Sequence, residues 1–234
     1  MKRKNRIWLF LPIAMGLALI FIISCKKDVY NPPYMTDQDG NVYTSVTIGT
    51  QVWMVENLKT TKYRNGDLIG TTTPASLDIS SESTPKYQWA YDGNESNVAT
   101  YVRLYTWYAV SDNRNICPTG WHVPTDAEWT TLTTSLGGED VASGKLKEAG
   151  TSYWMPSNEG ATNSSGFTAF PSGCRDDDGT YLSVGFGGYW WSSTEYSATD
   201  AYQRHMDYYS SCGGNVCRLY SNKHYGFSVR CLQD

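Results

Sequence analysis

Ile116-Cys117-Pro118-Thr119-Gly120-Trp121-His122-Val123-Pro124-Thr125-Asp126-Ala127-Glu128-Trp129-Thr130-Thr131-Leu132 carries the clearest local signal in the chain. Thr125 followed three residues later by Glu128 reads as a capping box, in which each side chain satisfies a free amide at the helix start. Trp129, Leu132 and Leu136 then recur at i, i+3 and i+7, which places them on one apolar face. Gly137-Gly138 ends the helix, because glycine adopts the left-handed cap without steric penalty. A second, weaker helical pattern covers 141–149 and stops at Gly150.

Upstream, 42–48 (VYTSVTI) and 51–55 (QVWMV) are β-branched and aromatic, and Gly49-Thr50 between them predicts a β-hairpin. Asp39-Gly40-Asn41 is a turn signal, and the polar stretch 71–85 reads as loop. The aromatic stretch 101–110 fits either a strand or a helix. Downstream, short strands are predicted at 189–193, 202–208, 216–220 and 226–232. There is no internal repeat. With 18 Tyr, 9 Trp, 21 Gly and only 18% charged residues, the composition is that of strands and loops rather than a helical bundle.

The first residues read as a targeting segment. Lys2, Arg3, Lys4 and Arg6 precede 17 uncharged residues from Ile7 to Ile23, and Ser24-Cys25 follows. This is the pattern of a secretory signal. The run is shorter than the roughly 20 apolar residues of a membrane-spanning helix and contains Pro12; an uncleaved anchor is the alternative. Ile22-Ile23-Ser24-Cys25 resembles the lipobox of bacterial lipoproteins. That resemblance implies cleavage before Cys25, lipidation of its thiol, and further acylation with chains such as palmitate. Two or three acyl chains hold a protein on a membrane where one does not. Lys26 stands where the inner-membrane retention signal is usually Asp, so the expected destination is the outer membrane, on its periplasmic or extracellular face. The expected organisation is thus a signal peptide (1–24), a lipidated cysteine and tether (25–35), and one domain (36–234).

All four basic residues of the signal leave with it, and no acidic ones do. The remaining 15 basic and 23 acidic residues give a charge of −8, which argues against a nucleic-acid partner. Five cysteines remain after Cys25, in a compartment where disulfides form. Five is odd, so one thiol is left over or pairs between chains.

Several blocks together resemble the Fibrobacter succinogenes major paralogous domain family of bacterial surface lipoproteins: 40–67 (GNVYTSVTIGTQVWMVENLKTTKYRNGD), 103–110, 116–132, 161–173, 190–206 and 226–234 (GFSVRCLQD). The resemblance implies a C-type-lectin-like α+β domain, with short twisted antiparallel strands, two helices and long loops, and no assigned reaction. It also implies a bridge between Cys117 and Cys231. Closing a loop that long is worth about 4 to 5 kcal/mol in the chain-entropy view. The blocks are similar, more distantly, to the formylglycine-generating (sulfatase-modifying) enzymes, which supply an enzymatic alternative. In that family a cysteine pair holds copper in the region of Cys212 and Cys217. A disulfide across the Gly213-Gly214 turn is the preferred reading of the pair, and Cys174 is then the odd thiol.

No catalytic residue, metal or cofactor is expected. His122, His205 and His224 are scattered and form no ligand spacing. Ser164, Ser165, Ser192 and Ser193 lack a nucleophile-elbow context. The acidic stretches 176–179 (DDDG) and 37–40 (DQDG) could hold calcium but read first as turns. The sugar-binding triplets of calcium-dependent lectins are absent. The densest aromatic and polar cluster is Trp190-Trp191-Ser192-Ser193-Thr194-Glu195. Trp190, Trp191, Glu195 and Arg204 are therefore the candidate contacts for a glycan or protein ligand. Neighbours in a strand face opposite sides, so at most one of the two tryptophans can line a given surface.

Overall fold

Thr125 and Glu128 do form the capping box. The Glu128 amide donates to Thr125 Oγ1 (3.2 Å) and the Thr125 amide to Glu128 Oε2 (2.8 Å). The computed structural model describes residues 35–209 and 215–234; the signal segment, Cys25, the tether up to residue 34 and Cys212 lie outside the described residues.

In chain order the elements are β1 (Met35–Thr36), β2 (Val42–Tyr43), β3 (Ser45–Ile48), β4 (Gln51–Met54), β5 (Gln88–Ala90), α1 (Val98–Tyr101) and β6 (Arg103–Tyr105). There follow α2 (Trp107–Val110), β7 (Trp121–His122), α3 (Asp126–Ser135), α4 (Glu139–Leu146), β8 (Ser172–Arg175) and β9 (Tyr181–Val184). The last are β10 (Gly187–Glu195), β11 (Asp200–Asp207), β12 (Cys217–Asn222) and β13 (Leu232–Gln233). The domain is mixed α and β, with sheets dominant. A five-stranded sheet runs β12-β11-β10-β8-β9 and a four-stranded sheet runs β3-β4-β13-β7, beside two two-stranded ribbons.

Local signals set several boundaries. The Gly138 amide bonds Thr133 O (2.9 Å) and the Gly137 amide bonds Thr134 O (3.0 Å), with Gly137 at φ +102°, a Schellman close to α3. The β3–β4 hairpin turns through Gly49-Thr50, with Ile48 opposite Gln51.

Four expectations need correction. The 42–48 stretch is two strands, since Val42–Tyr43 pairs with Met35–Thr36 instead of β4. Four α-helices are present among the described residues rather than two; α1 and α2 are single turns too short for a periodic pattern. The ambiguous 101–110 stretch is both strand and helix, divided at Thr106, whose Oγ1 bonds Pro85 O (2.7 Å). α4 starts at Glu139 and ends at Leu146, because Leu146 O and the Glu148 amide bond Ala169 and pull the chain out of the helix.

The 226–232 stretch is not a continuous ladder strand. It crosses several elements and bonds each in turn: Gly226 with Arg175, Phe227 with Tyr105, Ser228 with Tyr189 O and the Trp191 amide, Val229 O with the Leu58 amide, and Cys231 O with the Met54 amide. Gly226 fits the first crossing closely: an added Cβ would come within 3.1 Å of Arg175 Cβ and 3.3 Å of Leu104 Cβ, so those side chains would have to give by a few tenths of an ångström. The segment is locked at its end by the Cys117–Cys231 disulfide (Cα–Cα 6.0 Å), beside the pairing of β13 with β7.

Two hydrophobic clusters flank β10. One holds Trp53, Trp129, Leu132, Phe167 and Trp190, with the Trp53 and Trp129 rings 4.8 Å apart. The other holds Tyr105, Trp107, Trp191, Phe227 and Val229.

Candidate functional site

The alternation of β10 sends Trp190 into one cluster and Trp191 into the other, and both are fully buried. Their indole N–H groups are satisfied inside the protein, Trp190 by Asn57 Oδ1 (2.8 Å) and Trp191 by Tyr105 O (2.8 Å). Neither forms a ligand platform, because both faces of the strand are covered. Arg204 is also fully buried: it pairs with Asp126 Oδ1 (2.7 Å) and bonds Asp126 O and Thr130 Oγ1. Of the four expected contacts only Glu195 is exposed, and it accepts from Lys223 Nζ (2.6 Å).

An aromatic face does open to solvent, a few residues further along the same hairpin. The β10–β11 turn is held rigidly: the Tyr196 and Ser197 amides bond Asp200 O, and the Asp200 carboxylate accepts from Ser197 Oγ (3.0 Å) and Thr199 Oγ1 (2.8 Å). Buried Lys223 reaches under the turn to Ser197 O (2.7 Å) and Ala198 O (2.8 Å). Its ammonium also sits over the Trp107 ring.

On this support Tyr196 stacks on Tyr220, with centroids 4.0 Å apart and planes 8° from parallel, and meets Tyr202 edge-on at 5.3 Å. Tyr196 and Tyr220 are 48% and 54% exposed. The strand register puts Tyr202 opposite Tyr220 and Arg204 opposite Arg218, so the four share one face. The Arg218 guanidinium lies 4.3 Å from the Tyr202 ring centre and pairs with Asp126 Oδ2 (2.8 Å). Partial burial opposes ionisation of Asp126, but hydrogen bonds from Arg218 and Arg204 outweigh it and hold the carboxyl below its ordinary value. The neighbouring Tyr220 phenol pushes the Tyr196 hydroxyl up. Sequence reading missed this face because Tyr220 joins it only through strand register; the one local clue was Tyr196 beside Glu195.

The remaining candidates serve the fold. Cys174 is a free, buried thiol, pushed up to about 12 by burial, and so a poor nucleophile. Cys217 is disulfide-bonded. His122 bridges Asp234 Oδ1 (2.7 Å) and Glu128 Oε1 (3.0 Å), tying the chain end to the helix cap. His224 bonds Glu82 O (2.6 Å) and Asn222 Oδ1 (2.8 Å), and His205 stacks on Tyr189 at 4.2 Å. Asp176–Gly179 forms the turn between β8 and β9, with Asp178 accepting from the Thr180 amide. The Asp37 carboxylate is taken by the Asp39 and Asn41 amides and by Tyr43 Oη, and that of Asp39 by Thr60, Thr61 and Lys62. Among the described residues no three of His, Cys, Asp and Glu gather where they could hold a metal ion.

A profile of the Fibrobacter succinogenes major domain matches residues 46–233. The chain belongs to this family. No curated protein and no solved structure matches it. The Fibrobacter succinogenes major domain thus extends from β3 to β13 and includes the Thr125-capped helix, the Cys117–Cys231 bridge and the tyrosine face.

Proposed function

We propose that this is an outer-membrane lipoprotein, anchored through acylated Cys25, whose C-type-lectin-like domain binds carbohydrate without catalysing a reaction. The observation that carries the binding reading is the stacked, half-exposed pair Tyr196 and Tyr220 on a turn already held rigid by Lys223. Aromatic faces pack against the C–H faces of sugar rings, and Tyr keeps a hydroxyl at the rim for hydrogen bonding. Glu195, Asp200 and Arg218 supply polar neighbours. A surface that is ordered before binding loses little conformational entropy when the ligand arrives. The bridge between the helix start and the last strand supports the lectin-like reading, since the resemblance implied it. The copper-enzyme alternative is weakened by Cys217, because a disulfide sulfur is not a thiolate ligand.

A second reading is a protein ligand. β12 is an edge strand carrying exposed Leu219 and Tyr220, so a peptide could add to the sheet there. A carbohydrate array separates the two. The purified chain is expected to retain a subset of glycans, and Tyr196→Ala with Tyr220→Ala to lose them while melting at nearly the same temperature. Binding that survives both substitutions would remove the tyrosine face from the reading. For the anchor, Cys25→Ser is expected to abolish palmitate labelling in cells; persistent labelling would overturn it.

A further inference from the structure

Away from the tyrosine face, the start of the 55–59 segment, α1 and the 168–170 segment enclose a cavity of about 250 Å³. Val55, Val102 and Phe170 form apolar wall, and exposed Ala99 stands at the mouth. The inner end is polar: Asn57 and Arg230 line it and are almost completely withdrawn from solvent.

Arg230 has an unusual environment for a buried cation. Its guanidinium donates to Asn57 Oδ1 through Nε (2.8 Å) and Nη2 (2.6 Å), and to the carbonyls of Met54, Phe167 and Thr168. All of these acceptors are neutral, and among the described residues no carboxylate lies within ion-pair distance of it. Buried charges are ordinarily paired. Lys59 lines the same cavity, and its ammonium has no hydrogen-bond or ion-pair partner among the described residues. Glu56, the one acidic residue of the lining, is already engaged by the Thr44 amide and hydroxyl (both 2.8 Å). The Glu56 charge also acts on Arg230 through space, so the lining carries two cations against one carboxylate, a surplus of one positive charge around an apolar space.

The backbone at the cavity is also held in conformations that side chains disfavour. Val102 has φ +63° and Thr168 φ +56°; both are β-branched, and both border the cavity. Thr168 is clamped there by Asn163, which bonds its amide and its hydroxyl (2.9 Å each). Such positions persist only where the surroundings enforce them, and they concentrate at ligand sites.

We propose that this cavity is a binding site for a small monocarboxylate with a compact apolar body. The apolar part would fill the space between Val55, Val102 and Phe170. The carboxylate would pair with Lys59 and offset the surplus positive charge of the lining. Apolar walls with a few convergent polar groups are the usual make-up of a small-molecule site. A ligand of this size binds at about millimolar strength.

The test uses benzoate and its uncharged, similarly shaped amide, benzamide, against the purified full-length chain. Ligand-observed saturation-transfer NMR gives the affinities, and the melting midpoint should climb with benzoate concentration. Benzoate is expected to bind at least about threefold more tightly than benzamide, with Lys59→Gln erasing that preference and Lys59→Arg keeping it. Ala99→Trp, at the exposed mouth, is expected to remove both probes without shifting the melting midpoint of the free protein. Equal affinity for the two probes, benzoate binding indifferent to Lys59→Gln and Ala99→Trp, or no benzoate binding would each overturn the proposal. None of these outcomes touches the tyrosine face.

Discussion

Trp190-Trp191 and Tyr196-Tyr220 are two aromatic pairs on one sheet. Both are dense, both come with polar neighbours, and only the second meets solvent. The tryptophans sit mid-strand in β10, where one face is covered by α3 and the other by α2 with the Tyr105 and Phe227 side chains. Their indole N–H groups end on Asn57 and Tyr105. The tyrosines sit at the turn and on the edge strand β12, past the end of those covers. Aromatic content alone does not separate a core from a platform; what separates them is whether another element lies over the strand.

The largest consequence of that difference is for stability. Trp190→Ala or Trp191→Ala is expected to lower the unfolding free energy by about 3 to 5 kcal/mol, as for large buried aromatics elsewhere. Denaturant titration would show it. A loss below about 1 kcal/mol would mean that one face of β10 is open after all.

Breaking the Cys117–Cys231 bridge should act on the same side of the molecule. Cys231→Ala, or reduction, is expected to lower stability by about 2 to 5 kcal/mol. Hydrogen exchange should rise first along 226–231, while the 196–202 turn keeps its protection.

Asp126 links the two regions, because it pairs with buried Arg204 on one side and exposed Arg218 on the other. Asp126→Asn leaves a buried guanidinium without its counter-ion and is expected to cost about 3 kcal/mol. The sign with pH follows from the lowered carboxyl: its contribution is present above the unfolded-state value of about 3.9 and is lost as pH falls through the lower folded value. Stability of the wild type should therefore decline more steeply below about pH 4 than that of Asp126→Asn.

The smallest effect belongs to the exposed pair. Tyr196→Ala and Tyr220→Ala should each change stability by less than about 1 kcal/mol, with a coupling of about 0.5 to 1.5 kcal/mol in a double-mutant cycle. Their effect on ligand should be far larger. A buried-type loss at Tyr220 would erase the contrast with Trp190.

Much of the local structure was legible. The Thr125–Glu128 box, the Gly137-Gly138 close, the two-residue hairpin loop and the 71–85 loop all depend on residues within a few positions of one another. The backbone amides they satisfy are neighbours in the chain, so the residues responsible are neighbours as well. Strand existence near 189–193, 202–208 and 216–220 was also readable from β-branched and aromatic content, although each strand proved longer or shifted by a few residues.

The candidate site was legible only at Glu195. That both faces of β10 would be covered, that Tyr220 would land opposite Tyr202, and that 226–231 would bond four different strands and Leu58 are all products of long-range packing. So is the placing of Arg230 against Asn57, 173 residues away. Sequence by itself determined where helices cap, where hairpins turn and which family the chain joins. Tertiary structure alone decided which aromatic rings face water and which cations go unpaired, because burial and charge compensation depend on what packs across a strand and not on what precedes it.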